Sequence, residues 1–136
     1  MSIKFDISVI KFINLFEKIT RASVKDVIVK ENKMTFIVNE GNLGKAVGKG
    51  GVNVKKLENM FKKRIKIVEF KNDVCEFIRN LLLPLKISNI YKEDNLVKIK
   101  AEGMKIKSIL IGRDKRNLKE LRDTVKRYFQ YDVEIE

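Results

Sequence analysis

The segment GKAVGKGGVNVKKLENMFKK, residues Gly44–Lys63, decides how the whole chain is interpreted. It holds four of the seven glycines of the chain and six of its lysines, but no serine, threonine or histidine. A glycine cluster of this kind is found in cofactor-binding loops, in nucleic-acid clamps and in flexible turns. The spacing of the glycines and the patterns beside them discriminate among these three.

The glycines do not fit either common nucleotide-binding motif. A P-loop requires G-x-x-x-x-G-K-[ST], whereas the residues five positions after Gly41 and Gly44 are Ala46 and Lys49. The dinucleotide motif G-x-G-x-x-G requires a glycine where this chain has Asn53. The sequence therefore predicts no cofactor and no small-molecule substrate.

Residues Gly48–Gly51 (Gly-Lys-Gly-Gly) match the pattern G-x-x-G. They lie between a short helical segment and a longer basic helix marked by Val54, Leu57 and Phe61. Glycines let a phosphodiester backbone approach the main chain closely. The free N–H groups at the start of the next helix attract phosphate. The alternative is that Gly48–Gly51 is only a flexible turn, and that the lysines are a solvated face.

The charge of the chain favours a polyanionic partner. Thirty Lys and Arg face eighteen Asp and Glu, which leaves a net charge of +12 and a pI near 9.8. Such a field attracts nucleic acid first and an anionic membrane surface second. Together with the placement of the glycines between two helices, the charge predicts nucleic-acid binding.

The two halves of the chain repeat the same predicted order, helix–strand–strand–helix–helix–strand. A shift of 64 residues places VGKGGVNVKKL over IGRDKRNLKEL and pairs Gly48 with Gly112. The second half begins with a helix that Asp73 can cap and that Pro84 ends. The repeat predicts an internal duplication with a boundary near residues 70–72, and an α+β fold.

The segment LGKAVGKGGVNVKKLENMFKKRIKIVEF resembles the core of a KH domain, with Gly48–Gly51 as its G-x-x-G loop. The order of elements resembles the type II arrangement, α-β-β-α-α-β, with a three-stranded sheet covered by helices on one face. The resemblance implies a first KH domain over 1–70 and a second over 71–136. Two such units in a short chain resemble the archaeal form of the NusA family of transcription termination and antitermination factors.

KH domains hold about four nucleotides of single-stranded RNA at the G-x-x-G loop. The resemblance therefore implies RNA contacts at Gly48, Lys49, Gly50, Gly51, Asn53, Lys55 and Lys56. Apolar groove walls are expected from Val47, Val52, Val54 and one strand edge. The second loop departs from the pattern, because Asp114 and Lys115 stand where the first loop has glycines. We expect it to contribute less, mainly through electrostatic contacts or as a rigid spacer. Its candidate RNA-binding residues are Gly112, Arg113, Lys115, Arg116 and Asn117.

The other residues give little support for catalysis or for a metal site. The chain has no histidine and a single cysteine, Cys75, which lies in an apolar helical pattern and is expected to be buried. Tyr91, Tyr128 and Tyr131 could stack on bases, but packing is the better interpretation. The sequence predicts no signal peptide and no membrane span, and hence a cytoplasmic, non-enzymatic protein that binds no metal.

The function implied by the resemblance is binding of single-stranded RNA, most simply nascent transcript, to modulate transcription termination or antitermination. The alternative is a KH protein of ribosome assembly or translation that binds ribosomal RNA. RNA polymerase and ribosomal particles are the corresponding candidate neighbours. A protein-interaction scaffold, a third class, predicts that binding does not depend on the loop Gly48–Gly51.

Overall fold

A computed structural model of the chain describes residues 7–87 and 89–136. It divides the chain into two compact units, Met1–Lys71 and Asn72–Glu136. Each unit contains one three-stranded sheet together with helices, which confirms the mixed α+β class expected from the sequence.

The first unit follows the predicted order of elements. The described elements are helix α1 (Ile7–Thr20), strands β1 (Val24–Val29) and β2 (Lys33–Val38), helices α2 (Leu43–Val47) and α3 (Val52–Phe61), and strand β3 (Arg64–Glu69). A short turn, Lys49–Gly51, separates α2 from α3. The glycine cluster therefore lies between two helices, as the sequence predicted.

The connection from β2 to β3 places the glycine loop. Strand β2 pairs antiparallel with β1 and parallel with β3, so the sheet order is β1-β2-β3. Adjacent parallel strands cannot be joined by a tight hairpin and need a longer crossover. Helix α2, the glycine loop and helix α3 are that crossover, and the loop is its midpoint.

Aromatic side chains join the helices of the first unit to its sheet. Phe16 of α1 stacks on Phe36 of β2 with ring centroids 4.1 Å apart. Phe12 of α1 meets Phe61 of α3 edge to face at 5.3 Å. Both Phe16 and Phe36 are fully buried. The apolar face of α1 thus covers the sheet, as the helical spacing of its apolar residues predicts.

The alternation of Met34, Phe36 and Val38 with Thr35, Ile37 and Asn39 predicts a half-buried strand. That prediction is wrong, because β2 is buried on both faces. Met34 and Phe36 belong to the helix-covered core, but Thr35 and Ile37 on the opposite face are also buried. The run Phe36-Ile37-Val38 already had the continuous apolar character of a strand shielded on both faces. In residues 34–39 only Thr35 and Asn39 are polar, so the alternation of polar and apolar residues is incomplete.

The second unit repeats these elements. They are helix α4 (Val74–Leu82), strands β4 (Asn89–Glu93) and β5 (Leu96–Lys100), helices α5 (Met104–Ile111) and α6 (Arg116–Lys126), and strand β6 (Asp132–Ile135). Strand β5 is again central, antiparallel to β4 and parallel to β6. A turn at Arg113–Lys115 separates α5 from α6 at the place of the first glycine loop.

The ends of two helices in this unit test the sequence prediction. The Asp73 carboxylate accepts a hydrogen bond from the Glu76 N–H at 3.1 Å, which confirms the predicted cap of α4. The helical spacing of Leu118, Leu121, Val125 and Phe129 predicts a helix that includes Phe129. Helix α6 instead ends at Lys126. Phe129 still packs against the core, 5.9 Å from the Phe77 ring, so its apolar character reflects burial rather than helix.

Cys75 is partly exposed rather than buried as predicted. Burial still raises the pKa of its thiol, and the nearby Asp73 carboxylate raises that pKa further.

Within residues 7–87 and 89–136, no helix is both long and apolar enough to cross a membrane. The same residues contain no cluster of acidic, cysteine or histidine side chains that could hold a metal ion.

Candidate nucleic-acid interface

The first glycine loop has a backbone conformation that glycine favours. Gly48, Gly50 and Gly51 have φ values of 76°, 64° and 75°, in a region that costs an L-residue energy because Cβ crowds the main chain. The Gly51 N–H donates to the Gly48 carbonyl at 3.1 Å, and the Gly48 N–H donates to the Gly44 carbonyl at 3.0 Å. These bonds make the loop a defined turn rather than a loose connection.

The loop glycines have two different surroundings. A Cβ at Gly48 would lie 2.9 Å from Asn53 Nδ2 and 3.0 Å from Val52 Cγ1, closer than side chains pack. A Cβ at Gly50 or Gly51 would meet no atom within 4 Å. Gly48 is therefore required by the packing of the protein itself. Gly50 and Gly51 instead leave the main chain open to an approaching molecule.

The side chain of Asn53 ties the two helices of the crossover together. Its Nδ2 donates to the carbonyl oxygen of Lys45 in α2 at 2.9 Å. In the second unit, Asn117 Nδ2 donates to the carbonyl oxygen of Ile109 in α5 at 2.7 Å. Both asparagines were expected to contact RNA, and the sequence did not predict this bond between helices. The two asparagines coincide when the halves are aligned with a shift of 64 residues, and this match is the signal that could have indicated a shared structural role.

The segment that contains the first loop carries only positive side-chain charges. Residues 41–57 contain four lysines and no acidic residue. Lys45, Lys49, Lys55 and Lys56 are all exposed. Helix α3 has no acidic residue in its first turn, and no described side chain caps its N-terminus. The positive dipole end of α3 therefore faces the loop with no acidic side chain in the first turn of the helix.

The second loop has the same backbone shape as the first. Gly112, Asp114 and Lys115 have φ values of 73°, 53° and 61°, close to those of Gly48, Gly50 and Gly51. The departure that the sequence showed is thus confined to the side chains. A Cβ at Asp114 and another at Lys115 cover main chain that is bare in the first loop, although the path of the chain is retained.

The second loop is basic overall but mixed in sign. Residues 105–121 contain six Lys and Arg and two acidic residues, so the net charge of +4 equals that of residues 41–57. Arg113, Asp114, Lys115, Arg116 and Asn117 are all exposed. Long-range attraction of a polyanion is therefore similar at both loops. The local difference is the Asp114 carboxylate within the second turn.

The predicted groove residues are only partly available at the surface. Val52, at the start of α3, is 52% exposed and presents an apolar surface beside the loop. Val47 and Val54 are half-buried, and Val54 packs against the core of the first unit. Of the three valines, Val52 is thus the one most accessible to a base.

The three tyrosines contact other residues of the protein, in keeping with the expectation that they pack rather than stack on bases. The Tyr91 hydroxyl donates to Glu136 Oε1 at 2.7 Å, and this bond is the main cause of the raised pKa of Tyr91. Tyr128 meets the ring of Phe77 edge to face, with ring centroids 5.7 Å apart. Tyr131 packs against the core of the second unit.

Comparison with known families identifies one matching profile, described as "KH domain", over residues 13–108. The match includes the first glycine loop and ends before the second, which begins at Gly112. It covers more than half of the chain and crosses the boundary between the two units.

Two archaeal relatives have the same name. The chain is 40% identical over 91 residues to "Probable transcription termination protein NusA" of Methanococcus vannielii, covering 67% of this chain and 53% of that protein. It is 32% identical over 119 residues to the protein of the same name from Methanocaldococcus jannaschii, covering 85% of this chain and 65% of that protein. The chain thus matches between half and two thirds of the length of these relatives.

A solved structure matches nearly the whole chain. The structure described as "Crystal structure of APE1850" superposes with a TM-score of 0.74 at 29% identity. The superposition covers 97% of this chain and 100% of the other. The similarity therefore includes both units.

Proposed function

Because this chain belongs to the KH-domain family, whose members bind RNA through a G-x-x-G loop, we propose that it is a non-catalytic protein that binds single-stranded RNA. One observation carries the proposal most directly. The main chain at Gly50 and Gly51 is open, and it lies within a segment whose charged residues are all lysines.

The proposed contacts divide into main-chain and side-chain groups. The bare main chain of Gly50 and Gly51 lets the RNA backbone come close. Phosphate oxygens would accept hydrogen bonds from N–H groups at the start of α3, where the helix dipole also favours a negative charge. Lys49, Lys55 and Lys56 add attraction that does not depend on base sequence. Val52 would offer an apolar surface to one base.

We propose that each unit is a KH domain of type II, over 1–70 and 71–136. The support is that both units have the order helix, two antiparallel strands, two helices around a turn, and a third strand parallel to the second. The second domain would attract RNA mainly through Arg113, Lys115, Arg116 and other basic side chains. Its covered main chain and the Asp114 carboxylate would weaken close contact.

The proposed cellular role is modulation of transcription termination or antitermination through nascent RNA, with RNA polymerase as a neighbouring partner. The support is the name shared by the archaeal relatives. Affinity purification of the tagged protein tests this role. Recovery of RNA polymerase subunits is expected, whereas recovery of ribosomal particles in their place would favour the ribosomal alternative.

The RNA-binding proposal is tested by fluorescence anisotropy with a single-stranded RNA pool and a duplex DNA of equal length. The double variant Lys49→Asp/Gly50→Asp should lose most of its affinity for single-stranded RNA. It should remain folded, because the chain already holds an aspartate at the equivalent position 114 with φ of 53°.

The matched control places two aspartates in the second loop, at positions 113 and 114, which correspond to positions 49 and 50 of the first loop. Since Asp114 is already present, the single change Arg113→Asp is sufficient, and it should weaken binding less than the change in the first loop. Equal binding of both nucleic acids by the wild type and by the first-loop variant would contradict the proposal. In that case the glycine loop is a turn, and charge alone attracts the nucleic acid.

A further inference from the structure

The bond made by Asn53 is placed where it can control the shape of the loop. Its acceptor, the Lys45 carbonyl, lies in the last turn of α2, where carbonyl groups have no partner inside a helix. Asn53 itself lies in the first turn of α3. The bond therefore spans Gly48–Gly51 and fixes the distance between the two ends of the loop.

The amide of Asn53 and the first loop glycine depend on each other. A Cβ at Gly48 would lie 2.9 Å from Asn53 Nδ2, and a Cβ at Gly112 would lie 2.7 Å from Asn117 Cγ. In both units the asparagine amide thus occupies the space that a side chain at the first glycine would need. We refer to this arrangement of glycine, asparagine and carbonyl acceptor as the amide clasp.

The second unit shows which residues accompany the loop conformation. It lacks the glycines equivalent to Gly50 and Gly51 but keeps Gly112 and Asn117, and its loop has the same path. Positive φ at Asp114 and Lys115 is unfavourable and persists only where the surrounding structure imposes it. The clasp is a side-chain interaction that both loops share, and in each unit it joins the helices on either side of the loop.

We propose that Asn53 is a positioning residue for RNA binding. It holds Gly48–Gly51 in the one conformation in which the open main chain of Gly50 and Gly51 faces the RNA backbone. This inference rests on the proposed RNA-binding function and replaces a direct contact by Asn53 with an indirect role. A loop that leaves this conformation binds more weakly, in proportion to the fraction that remains competent.

The first measurement uses the protein without RNA. Amide ¹⁵N relaxation is recorded for the full-length wild type and for Asn53→Ala and Asn53→Asp. Asp keeps the size of the side chain and suits a helix N-terminus, but it cannot donate the bond. We expect the order parameters of Gly48–Gly51 to fall from about 0.85 to about 0.6 or lower in both variants. Amides of the sheet should be unchanged.

The matched change Asn117→Ala should loosen residues 112–115 and leave Gly48–Gly51 ordered. Unchanged order parameters at Gly48–Gly51 in both Asn53 variants would overturn the proposal, since the loop would then hold its shape without the bond. A fall spread over the whole first unit would also overturn it, because Asn53 would then support the fold in general rather than the loop.

The second measurement is the affinity of Asn53→Ala for single-stranded RNA, which should fall about three- to tenfold, as expected for the loss of one hydrogen bond that holds the competent state. A looser loop with unchanged affinity would overturn the positioning role. Weaker binding with an unchanged free loop would instead identify Asn53 as a direct contact.

The two proposals fail in distinguishable ways. If Lys49→Asp/Gly50→Asp does not reduce RNA binding, the RNA-binding function of the loop fails. The clasp is then judged by the relaxation data alone, which require no RNA, and ordered loops in the Asn53 variants overturn it.

Discussion

Gly48 and Gly50 have φ values of the same sign, 76° and 64°, but their surroundings differ. The space beside Gly50 is open, whereas the space beside Gly48 is filled by Val52 and Asn53. The first residue serves the packing of the loop, and the second leaves room for a ligand. A motif that counts only glycines cannot separate these two roles.

Alanine at these two positions is predicted to have unequal effects on stability. Gly50→Ala should lower the free energy of unfolding by about 1 kcal/mol, the usual penalty for an L-residue at positive φ. Gly48→Ala adds a clash with Asn53 and Val52 to that penalty, and should lower it by about 2–4 kcal/mol. Urea unfolding at equilibrium measures both values, and equal losses would contradict the packing role of Gly48.

At the scale of single elements, helix α4 depends on a side-chain cap. The Asp73 carboxylate satisfies the N–H of Glu76 and lies 3.5 Å from Lys92 Nζ. The ion pair is largely exposed, so it adds little stability. Asp73→Ala should therefore lower the free energy of unfolding by about 1 kcal/mol, mainly through the lost cap.

Asp73→Asn is the control for this prediction, because asparagine caps a helix as well as aspartate does but cannot form the ion pair. The asparagine variant should retain nearly full stability in urea unfolding. A loss as large as that of Asp73→Ala would mean that Lys92, rather than the cap, is the important partner.

The second glycine loop differs from the first in chemistry and not in path, which gives a prediction at the element scale. In the Lys49→Asp/Gly50→Asp background, Asp114→Asn should raise RNA affinity about fivefold, since one repulsive charge near phosphate is removed. Asp114→Gly/Lys115→Gly should raise it further, because the main chain is bared as well. Fluorescence anisotropy separates the two effects.

Two outcomes of that experiment would contradict the prediction. If Asp114→Asn is as effective as the glycine pair, charge alone distinguishes the loops. If neither variant regains binding, the second unit does not use its loop for RNA, despite the shared backbone conformation.

The elements were largely predictable from the sequence, because apolar spacing and helix ends are local signals. Asp73, for example, is a typical capping residue in the sequence, and it caps α4 in the structure. The apolar run Phe36-Ile37-Val38 indicated the burial of Ile37, whereas no local signal indicated the burial of the polar Thr35. The Asn53 bond was also missed, because its acceptor is a main-chain carbonyl eight residues away, which no side-chain pattern marks.

At the scale of the whole molecule, the net charge of +12 attracts any polyanion, so affinity alone does not locate the binding surface. Salt dependence can locate it, since each phosphate contact that is lost flattens the slope of log K against log salt. Charges distant from the RNA contribute to the general field but not to counterion release at the contact.

Two double variants with the same change in net charge therefore test where the RNA lies. Lys55→Ala/Lys56→Ala removes exposed lysines beside the first loop, and Lys11→Ala/Lys18→Ala removes exposed lysines of α1. The first pair should flatten the slope by about 1.4 for single-stranded RNA, at roughly 0.7 for each contact. The α1 pair should weaken binding slightly and leave the slope unchanged. Equal slopes for both pairs would show that RNA is held by the general field rather than at the loop.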